Sequence, residues 1–201
     1  MKESLNLNWE WQSRTTVRGE YLGTEPHRVK IETDSYGKPH LRGEALLSFN
    51  LSHSGNLSLL ALGEDKKLGI GIERIDRTVN VDEVPRRFFS PIEVEQIHGL
   101  PSESRELAFF VCWSRKEAFV KAVGRGLSFP LDGFSVSCKP GELAALLDCG
   151  GDEKELPRWV LLDLPPIPGY ATALAGELPI IKVICRRWST RRLSSSFEES
   201  E

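Results

Sequence analysis

Glu117 and Lys121 are the charged residues with the most informative spacing, because they interrupt a mainly apolar segment at residues 107–123. Residues four apart lie on the same face of an α-helix, about one turn from each other, and Ser114 shares that face. The ordinary interpretation is a surface ion pair worth about 0.2–0.5 kcal/mol. A catalytic role for this face therefore depends on what other segments bring to it.

Two helices are predicted in the middle of the chain. The helix with Glu117 should run from about Ser104 to Val123, where Gly124 is suited to a left-handed C-cap. The other should begin at Ser90. There an N-cap serine is followed by proline at the first helical position and by a glutamate three residues on, which together form a capping box.

Most other segments predict strands and turns. Residues 68–73 alternate so that Gly69, Gly71 and Glu73 point to one face of a strand and apolar residues point to the other. The other predicted strands are residues 28–32, 46–51, 57–61, 134–138, 159–164, 170–175 and 180–185, with a turn at 35–39, a polar hairpin loop at 52–56 and a turn or short helix at 140–147. Strands and helices in this mixed order favour an α+β fold over a parallel α/β sheet.

The composition is that of an ordinary globular protein. The chain has 201 residues, of which 40% are hydrophobic and 27% charged, and a net charge of −3, which disfavours a disordered, membrane or nucleic-acid-binding protein. This length suits one domain, or two small halves that share an interface. The four cysteines are scattered without metal-ligand spacing, which favours reduced thiols, and the polar start lacks the apolar core of a signal peptide. We expect a cytoplasmic location.

The other candidate residues carry little weight when taken singly. Ser52 and His53 are typical of a polar turn, and no G-x-S-x-G motif surrounds the serine. Glu73 at the end of a strand ordinarily faces solvent, and Lys38 with Pro39 is typical of a simple turn. The order of these segments along the chain is more informative than any one of them.

Five segments, followed by a sixth, carry a resemblance to a known family. They are YGKP (36–39), FNLSHS (49–54), LGIGIE (68–73), RFFS (87–90) and WSRKEAFVKA (113–122), followed by GRGL (124–127). In order and spacing they resemble the large, monomeric class of 4′-phosphopantetheinyl transferases, often called Sfp-type. A late predicted strand, PGYATALA (168–175), extends the resemblance over roughly residues 17–188.

The resemblance implies a fold and an activity. The family has two similar α+β halves with mainly antiparallel sheets, related by a pseudo-twofold axis, and the coenzyme lies between them. Its members use Mg²⁺ to transfer the phosphopantetheine arm of coenzyme A to a serine of an apo acyl or peptidyl carrier protein, and they release adenosine 3′,5′-bisphosphate. By this resemblance residues 1–67 form a shortened coenzyme-binding half and residues 68–188 the half with the metal and catalytic residues. Residues 189–201 are rich in arginine, serine and glutamate, and we expect them to form a disordered tail.

The resemblance also assigns roles to individual residues. Glu73 and Glu117 would ligate Mg²⁺, which neutralises charge on the pyrophosphate oxygens. Glu117 would also be the base for the serine hydroxyl, and Lys121 would stabilise the leaving phosphates with help from Lys116. The other coenzyme contacts would be Ser52 and His53 on the 3′-phosphate side, with Lys38 and Pro39 in the nucleotide pocket.

Two departures from the family pattern bear on activity. The family's strand normally reads Gly-Ile-Asp-Ile-Glu, and its aspartate is a metal ligand, whereas this sequence has Gly71 at that place. Gly71 shares a face with Glu73, so the site keeps two carboxylates of three, and we expect Mg²⁺ binding to be weaker by about 1 kcal/mol or more. The family's longer N-terminal segment is not matched by residues 1–16.

Three hypotheses follow from these residues. The first is a Mg²⁺-dependent phosphopantetheinyl transferase that acts as a monomer on a carrier protein. The second is a non-catalytic or impaired relative that binds coenzyme A or carrier protein, because of Gly71 and the short N-terminal segment. The third is an α+β protein whose likeness to the family is a coincidence.

Overall fold

The computed structural model of the protein describes residues 23, 25–42, 47–64, 67–76, 78–81, 83–180 and 182–187. These residues form an α+β structure with antiparallel sheets, which confirms the predicted fold class. The helices are α1 (Val84–Phe88), α2 (Pro91–His98) and α3 (Ser102–Val123). The strands are β1 (Ile31–Thr33), β2 (Pro39–Leu41), β3 (Leu47–Ser54), β4 (Leu57–Glu64), β5 (Leu68–Arg74), β6 (Ser135–Val136), β7 (Leu146–Asp148), β8 (Trp159–Asp163) and β9 (Tyr170–Glu177). The predicted tail at 189–201 and residues 1–16 lie outside the described part.

The main sheet has the strand order β5–β9–β8, with both pairs antiparallel. Helix α3 packs across β5 and β9, and its apolar side chains form the core together with residues from the other elements. Strands β1 with β2, β3 with β4, and β6 with β7 form three further antiparallel pairs. No helix in the described part of the chain is long and apolar enough to cross a membrane.

Two glycines bring β5 unusually close to α3. A Cβ atom at Gly69 would overlap with the backbone of Ala118, and a Cβ atom at Gly71 would overlap with the carbonyl oxygen of Ser114. Any other residue would therefore push the strand and the helix apart, because backbone atoms cannot rotate out of the way. This contact fixes α3 against β5.

The signals predicted at the helix ends are confirmed. The hydroxyl of Ser90 accepts a hydrogen bond from the N–H group of Glu93, and the Glu93 carboxylate accepts one from the N–H group of Ser90. Gly124 follows α3 in the left-handed conformation, with φ of 84°, and its N–H group bonds to the carbonyl of Val120. Helix α3 begins at Ser102, two residues before the predicted start.

The predicted hairpin loop at residues 52–56 is wrong. Strand β3 continues to Ser54 and β4 begins at Leu57, so only Gly55 and Asn56 turn the chain. Ser52 and Ser54 remain in the strand because their hydroxyls find hydrogen-bond partners on β5. Serine hydroxyls often bond to neighbouring backbone groups in turns, but here they bond to the backbone of another strand.

Other strand boundaries also differ from the prediction. Residues 134–138 contain only the two-residue strand β6, and β7 begins inside the segment predicted as a turn or short helix and ends one residue after it. The strand predicted at 28–32 begins at Ile31, after a 3₁₀ turn at Pro26–Arg28. The strand predicted at 180–185 is not found at its described residues, 180 and 182–185. An apolar, β-branched segment needs a neighbour to pair with, and the pairings of the main sheet do not include this one.

The core contains a fully buried ion pair between α2 and α3. The Lys116 ammonium lies 2.7 Å from both oxygens of Glu93 and donates to the carbonyl of Phe134. Glu93 also accepts the N–H group of Val136, so both charges are compensated by hydrogen bonds. Lys116 is only 1% exposed. This pair joins two helices to β6.

We expect Lys116→Met to lower the free energy of unfolding by about 3–5 kcal/mol, because it leaves the Glu93 carboxylate buried without its counter-ion. Urea denaturation followed by circular dichroism measures the change. The matched control is Arg42→Ala, which removes an exposed ion pair with Glu32 and should cost less than about 1 kcal/mol. Equal small losses in the two variants would contradict the prediction.

Candidate active site

The candidate site lies where β3, β5 and α3 meet. Glu73 is near the end of β5, Glu117 and Lys121 lie on α3, and Ser52 and Ser54 lie on β3. Hydrogen bonds and charge interactions connect these five side chains. Three elements that are distant in the sequence therefore bring Glu73, Glu117, Lys121 and Ser52 together.

The Glu117–Lys121 ion pair is real, and it is not an isolated surface pair. The Lys121 Nζ atom lies 2.7 Å from the Glu117 Oε1 atom, and each side chain is 27% exposed. Lys121 also donates to the Ser52 hydroxyl at 2.8 Å and to the carbonyl of Leu51 at 3.2 Å. The Ser52 hydroxyl donates to the Glu117 Oε2 atom at 3.1 Å. The pair is thus attached to β3.

Glu73 is held from two sides in a half-buried environment. The hydroxyl of Ser54 donates to its Oε2 atom at 3.2 Å. Burial raises the pKa of Glu73 above its ordinary value, and the nearby charge of Glu117 raises it further. Hydrogen bonds from Ser54 and the Trp113 side chain, and the charge of Lys121, oppose this rise in pKa. Two carboxylates thus repel each other within one site.

This donor set fits a divalent cation with a preference for oxygen ligands. Two carboxylates that raise each other's energy are stabilised when a cation lies between them, and Mg²⁺ is commonly bound through one or two carboxylates plus water and phosphate. Lys121 adds a positive charge beside Glu117, which would also attract an anionic phosphate. The residues present can therefore hold the metal that the sequence resemblance implied.

Glu117 takes up the space next to Gly71. Its Oε2 atom lies 3.1 Å from the position that a Cβ atom would have at residue 71, and the carbonyl of Ser114 overlaps with that position. A third carboxylate at residue 71 would need α3 to move away from β5. The exchange of aspartate for glycine therefore changes the helix contact as well as the charge of the site.

Lys38 and Pro39 line a cavity of about 570 Å³ between the β1–β2 hairpin and the beginning of β5. The Lys38 ammonium donates to three carbonyl oxygens, those of Leu68, Lys121 and Ala122, at 3.3, 2.6 and 3.2 Å. Burial lowers its pKa. Lys38 therefore binds the last turn of α3 in this structure, in addition to lining the cavity.

Two predicted coenzyme contacts do not join the site. Lys116 points into the core on another face of α3, where it pairs with Glu93 and cannot reach a ligand. This corrects the prediction that Lys116 contacts the coenzyme's phosphates. His53 is exposed on β3 and, as the residue after Ser52, projects from the opposite face of the hairpin. Its contact with a 3′-phosphate stays a prediction.

Sequence reasoning missed the role of Ser54 and Trp113. Ser54 lies two residues after Ser52, so the period of a strand places both side chains on the same face, but the prediction of a loop at 52–56 hid this period. Trp113 lies four residues before Glu117 on α3 and so shares its face. Extending β3 by two residues would have revealed the serine pair.

Comparison with known proteins finds one family repeatedly. A family model described as the 4′-phosphopantetheinyl transferase superfamily matches residues 67–175. The chain is 37% identical over 163 residues to the 4′-phosphopantetheinyl transferase HetI of Nostoc sp., covering 80% of this chain and 65% of HetI. It is 36% identical over 108 residues to the 4′-phosphopantetheinyl transferase Sfp of Bacillus subtilis, covering 54% of this chain and 47% of Sfp. A solved Chronobacterium ammoniagenes ACPS–CoA complex is similar with a TM-score of 0.42 and 21% identity, over 56% of this chain and 96% of that chain.

The matches do not cover the whole of these relatives. The chain spans 65% of the length of HetI and about half of the length of the Bacillus subtilis proteins. The family model includes Glu73, Glu117 and Lys121, whereas Lys38 and Ser52 precede its first matched residue. The matched region is the one that contains both carboxylates of the site.

We expect Glu73→Gln to alter how the stability of the metal-free protein depends on pH. Because the folded-state pKa of Glu73 is raised, the folded protein holds this proton more tightly than the unfolded chain does. The contribution of Glu73 to the free energy of unfolding should therefore be lost as pH rises from the ordinary glutamate pKa through the raised one, and Glu73→Gln should remove this contribution. Denaturation in EDTA across that range measures the difference.

The control for this prediction is Glu95→Gln, which replaces an exposed carboxylate on α2. It should keep the wild-type dependence of stability on pH. The prediction fails if Glu73→Gln and Glu95→Gln give the same dependence.

Proposed function

Because the chain belongs to the 4′-phosphopantetheinyl transferase superfamily, we propose that it transfers the 4′-phosphopantetheine arm of coenzyme A to a serine of an apo carrier protein. The observation that carries this proposal is the meeting of Glu73, Glu117 and Lys121 at one site, from a strand and a helix that the family model matches. Fold and family alone do not establish an activity, so the argument depends on this site.

The proposed reaction exchanges one phosphorus–oxygen bond for another. The serine oxygen of the carrier protein forms a bond to the phosphorus that bears the pantetheine arm, and the pyrophosphate bond of coenzyme A breaks. The serine proton passes to a base, and adenosine 3′,5′-bisphosphate leaves with the electron pair. Mg²⁺, held by Glu73 and Glu117, would supply charge neutralisation on the pyrophosphate oxygens.

Glu117 is the proposed base, directly or through a water molecule. Its carboxylate is already hydrogen-bonded to Ser52 and paired with Lys121, which orients it before any ligand binds. Lys121 would turn from Glu117 toward the leaving phosphates and stabilise the charge that develops there. Its partial exposure leaves the ammonium group accessible to a bound phosphate.

The proposed coenzyme contacts besides Lys121 are Ser52, His53, Lys38 and Pro39. Support comes from the cavity beside Lys38 and Pro39, which is lined by apolar side chains such as Leu41 and Phe49, by two lysines and by the carboxylates of Asp34 and Glu177. The apolar part suits the flat base of a nucleotide, and the lysines suit its phosphates. These proposed contacts divide the chain into a coenzyme-binding half up to residue 67 and a metal-binding half from residue 68.

Incubation with coenzyme A, Mg²⁺ and an apo carrier protein tests the proposal. Mass spectrometry of the carrier should reveal the addition of one phosphopantetheine arm, and EDTA should prevent it. Glu117→Gln should lower kcat by about 10²–10⁴-fold, because it removes the base and a metal ligand, whereas Glu95→Gln should leave kcat unchanged. Absence of a mass gain across several acyl and peptidyl carriers would refute transfer.

A second candidate function, binding of coenzyme A or carrier protein without transfer, is favoured by Gly71. In the family pattern an aspartate would supply a third carboxylate here, and the wild-type site has only two carboxylates. A protein with this second function would keep the fold and the cavity but would not catalyse transfer.

Gly71→Asp and Gly71→Ala together separate the two candidates. We expect both substitutions to lower the free energy of unfolding by roughly 1–3 kcal/mol, because a Cβ atom at residue 71 overlaps with the carbonyl of Ser114. Under the proposed function the wild type transfers the arm, and Gly71→Asp transfers it no faster than the wild type does. An inert wild type, combined with transfer by Gly71→Asp but not by Gly71→Ala, would instead support the second candidate.

A further inference from the structure

Strand β3 lies beside β5 without pairing to it as a strand in the described residues, and side chains make the connection instead. The N–H groups of Ile70, Ile72 and Arg74 point to the same edge of β5, because they are two residues apart. They donate to side chains of β3 at the same spacing: Asn50 at 2.9 Å, Ser52 at 3.3 Å and Ser54 at 2.9 Å. Hydrogen bonds to polar side chains thus take the place of the backbone hydrogen bonds that would pair two strands.

The hydroxyl of Ser52 has its proton directed by its other contacts. A serine hydroxyl has one proton to donate and two lone pairs that accept. The lone pairs of Ser52 accept from the N–H group of Ile72 and from the Lys121 ammonium. The remaining proton is aimed at the Oε2 atom of Glu117, which it contacts at 3.1 Å. The backbone of β5 therefore determines which way this hydroxyl donates.

Ser54 repeats the arrangement two residues further along. Its oxygen accepts from the N–H group of Arg74 at 2.9 Å, and its hydroxyl donates to the Oε2 atom of Glu73 at 3.2 Å. Each carboxylate of the candidate site thus accepts a hydrogen bond from one serine of β3, and the same serine accepts one from an N–H group of β5. A carboxylate offers about four lone-pair sites, so one hydrogen bond orients it and leaves room for a cation.

We propose that Ser52 and Ser54 are positioning residues that orient Glu117 and Glu73 for Mg²⁺; this inference rests on the proposed function of the same site. The serines hold the carboxylates and do not ligate the metal themselves. This role differs from the coenzyme contact that the family resemblance assigned to Ser52, and the resemblance gave Ser54 no role. Groups that orient metal ligands in this way commonly contribute about 10–100-fold to metal affinity.

Asn50 provides a control that distinguishes orientation of the carboxylates from a purely structural role. Its side-chain oxygen accepts from the N–H group of Ile70 in the same series of contacts between β3 and β5. Asn50 lies at the end of the series that is farthest from Glu73, and its hydrogen bond to Ile70 is buried. Loss of Asn50 should therefore weaken the connection between the strands without changing the orientation of either carboxylate.

The test measures binding of Mg²⁺ alone to the full chain, by calorimetric titration and by the melting temperature as Mg²⁺ is added. Ser52→Ala and Ser54→Ala should each weaken Mg²⁺ binding by about 10–100-fold. Ser54→Thr keeps the hydroxyl at a half-buried position and should bind Mg²⁺ within a few-fold of the wild type. Asn50→Ala should lower the melting temperature but keep the wild-type Mg²⁺ affinity, and Ser58→Ala, at an exposed serine of β4, should change neither.

The outcomes distinguish this inference from the proposed function. Wild-type Mg²⁺ affinity in folded Ser52→Ala and Ser54→Ala would overturn the inference, as would an equal loss of affinity in Asn50→Ala. Failure of the wild type to bind Mg²⁺ would overturn it as well. If the wild type binds Mg²⁺ and the serine variants lose affinity, but no carrier is modified, the inference stands and transfer is refuted.

Discussion

The contact between α3 and β5 is the constraint on which the candidate site depends. Gly69 and Gly71 remove the side chains that would separate the strand from the helix, so backbone meets backbone over two turns of α3. Packing at this distance leaves little freedom for the helix to slide or rotate. Glu117 and Lys121 consequently project at the edge where β3 passes, close enough for Ser52 to contact both.

The other faces of α3 are fixed by buried cations. Three consecutive residues point in three directions: Arg115 is fully buried and bonds to Asp163, Ser137 and the carbonyl of Glu142, Lys116 pairs with Glu93, and Glu117 enters the site. Successive residues of a helix are about 100° apart, so such divergence is expected. The first two attach the helix to β8 and to α2, and only the third is available for chemistry.

Much of this arrangement could be predicted from local signals. The capping box at Ser90 and the left-handed cap at Gly124 determine helix ends through contacts within a few residues, so they can be recognised in the sequence. A longer predicted strand would have shown that Ser52 and Ser54 share a face, but not what they bind, because their partners on β5 lie about twenty residues further along the chain. The core position of Lys116 was hidden for the same reason, since Glu93 lies on another helix. Spacing identified which residues share a face, but long-range contacts decide what that face meets.

Lys38 connects the β1–β2 hairpin to the end of α3, where its ammonium group binds the carbonyl oxygens of Lys121 and Ala122 while its side chain lines the cavity. An anion that entered the cavity and attracted this ammonium group would compete with the helix for it. Occupancy of the cavity and order in the last turn of α3 are then thermodynamically linked, and the linkage is reciprocal. Lys121 belongs to that turn and pairs with Glu117, so a single residue contacts both the Lys38 ammonium and a carboxylate of the candidate site.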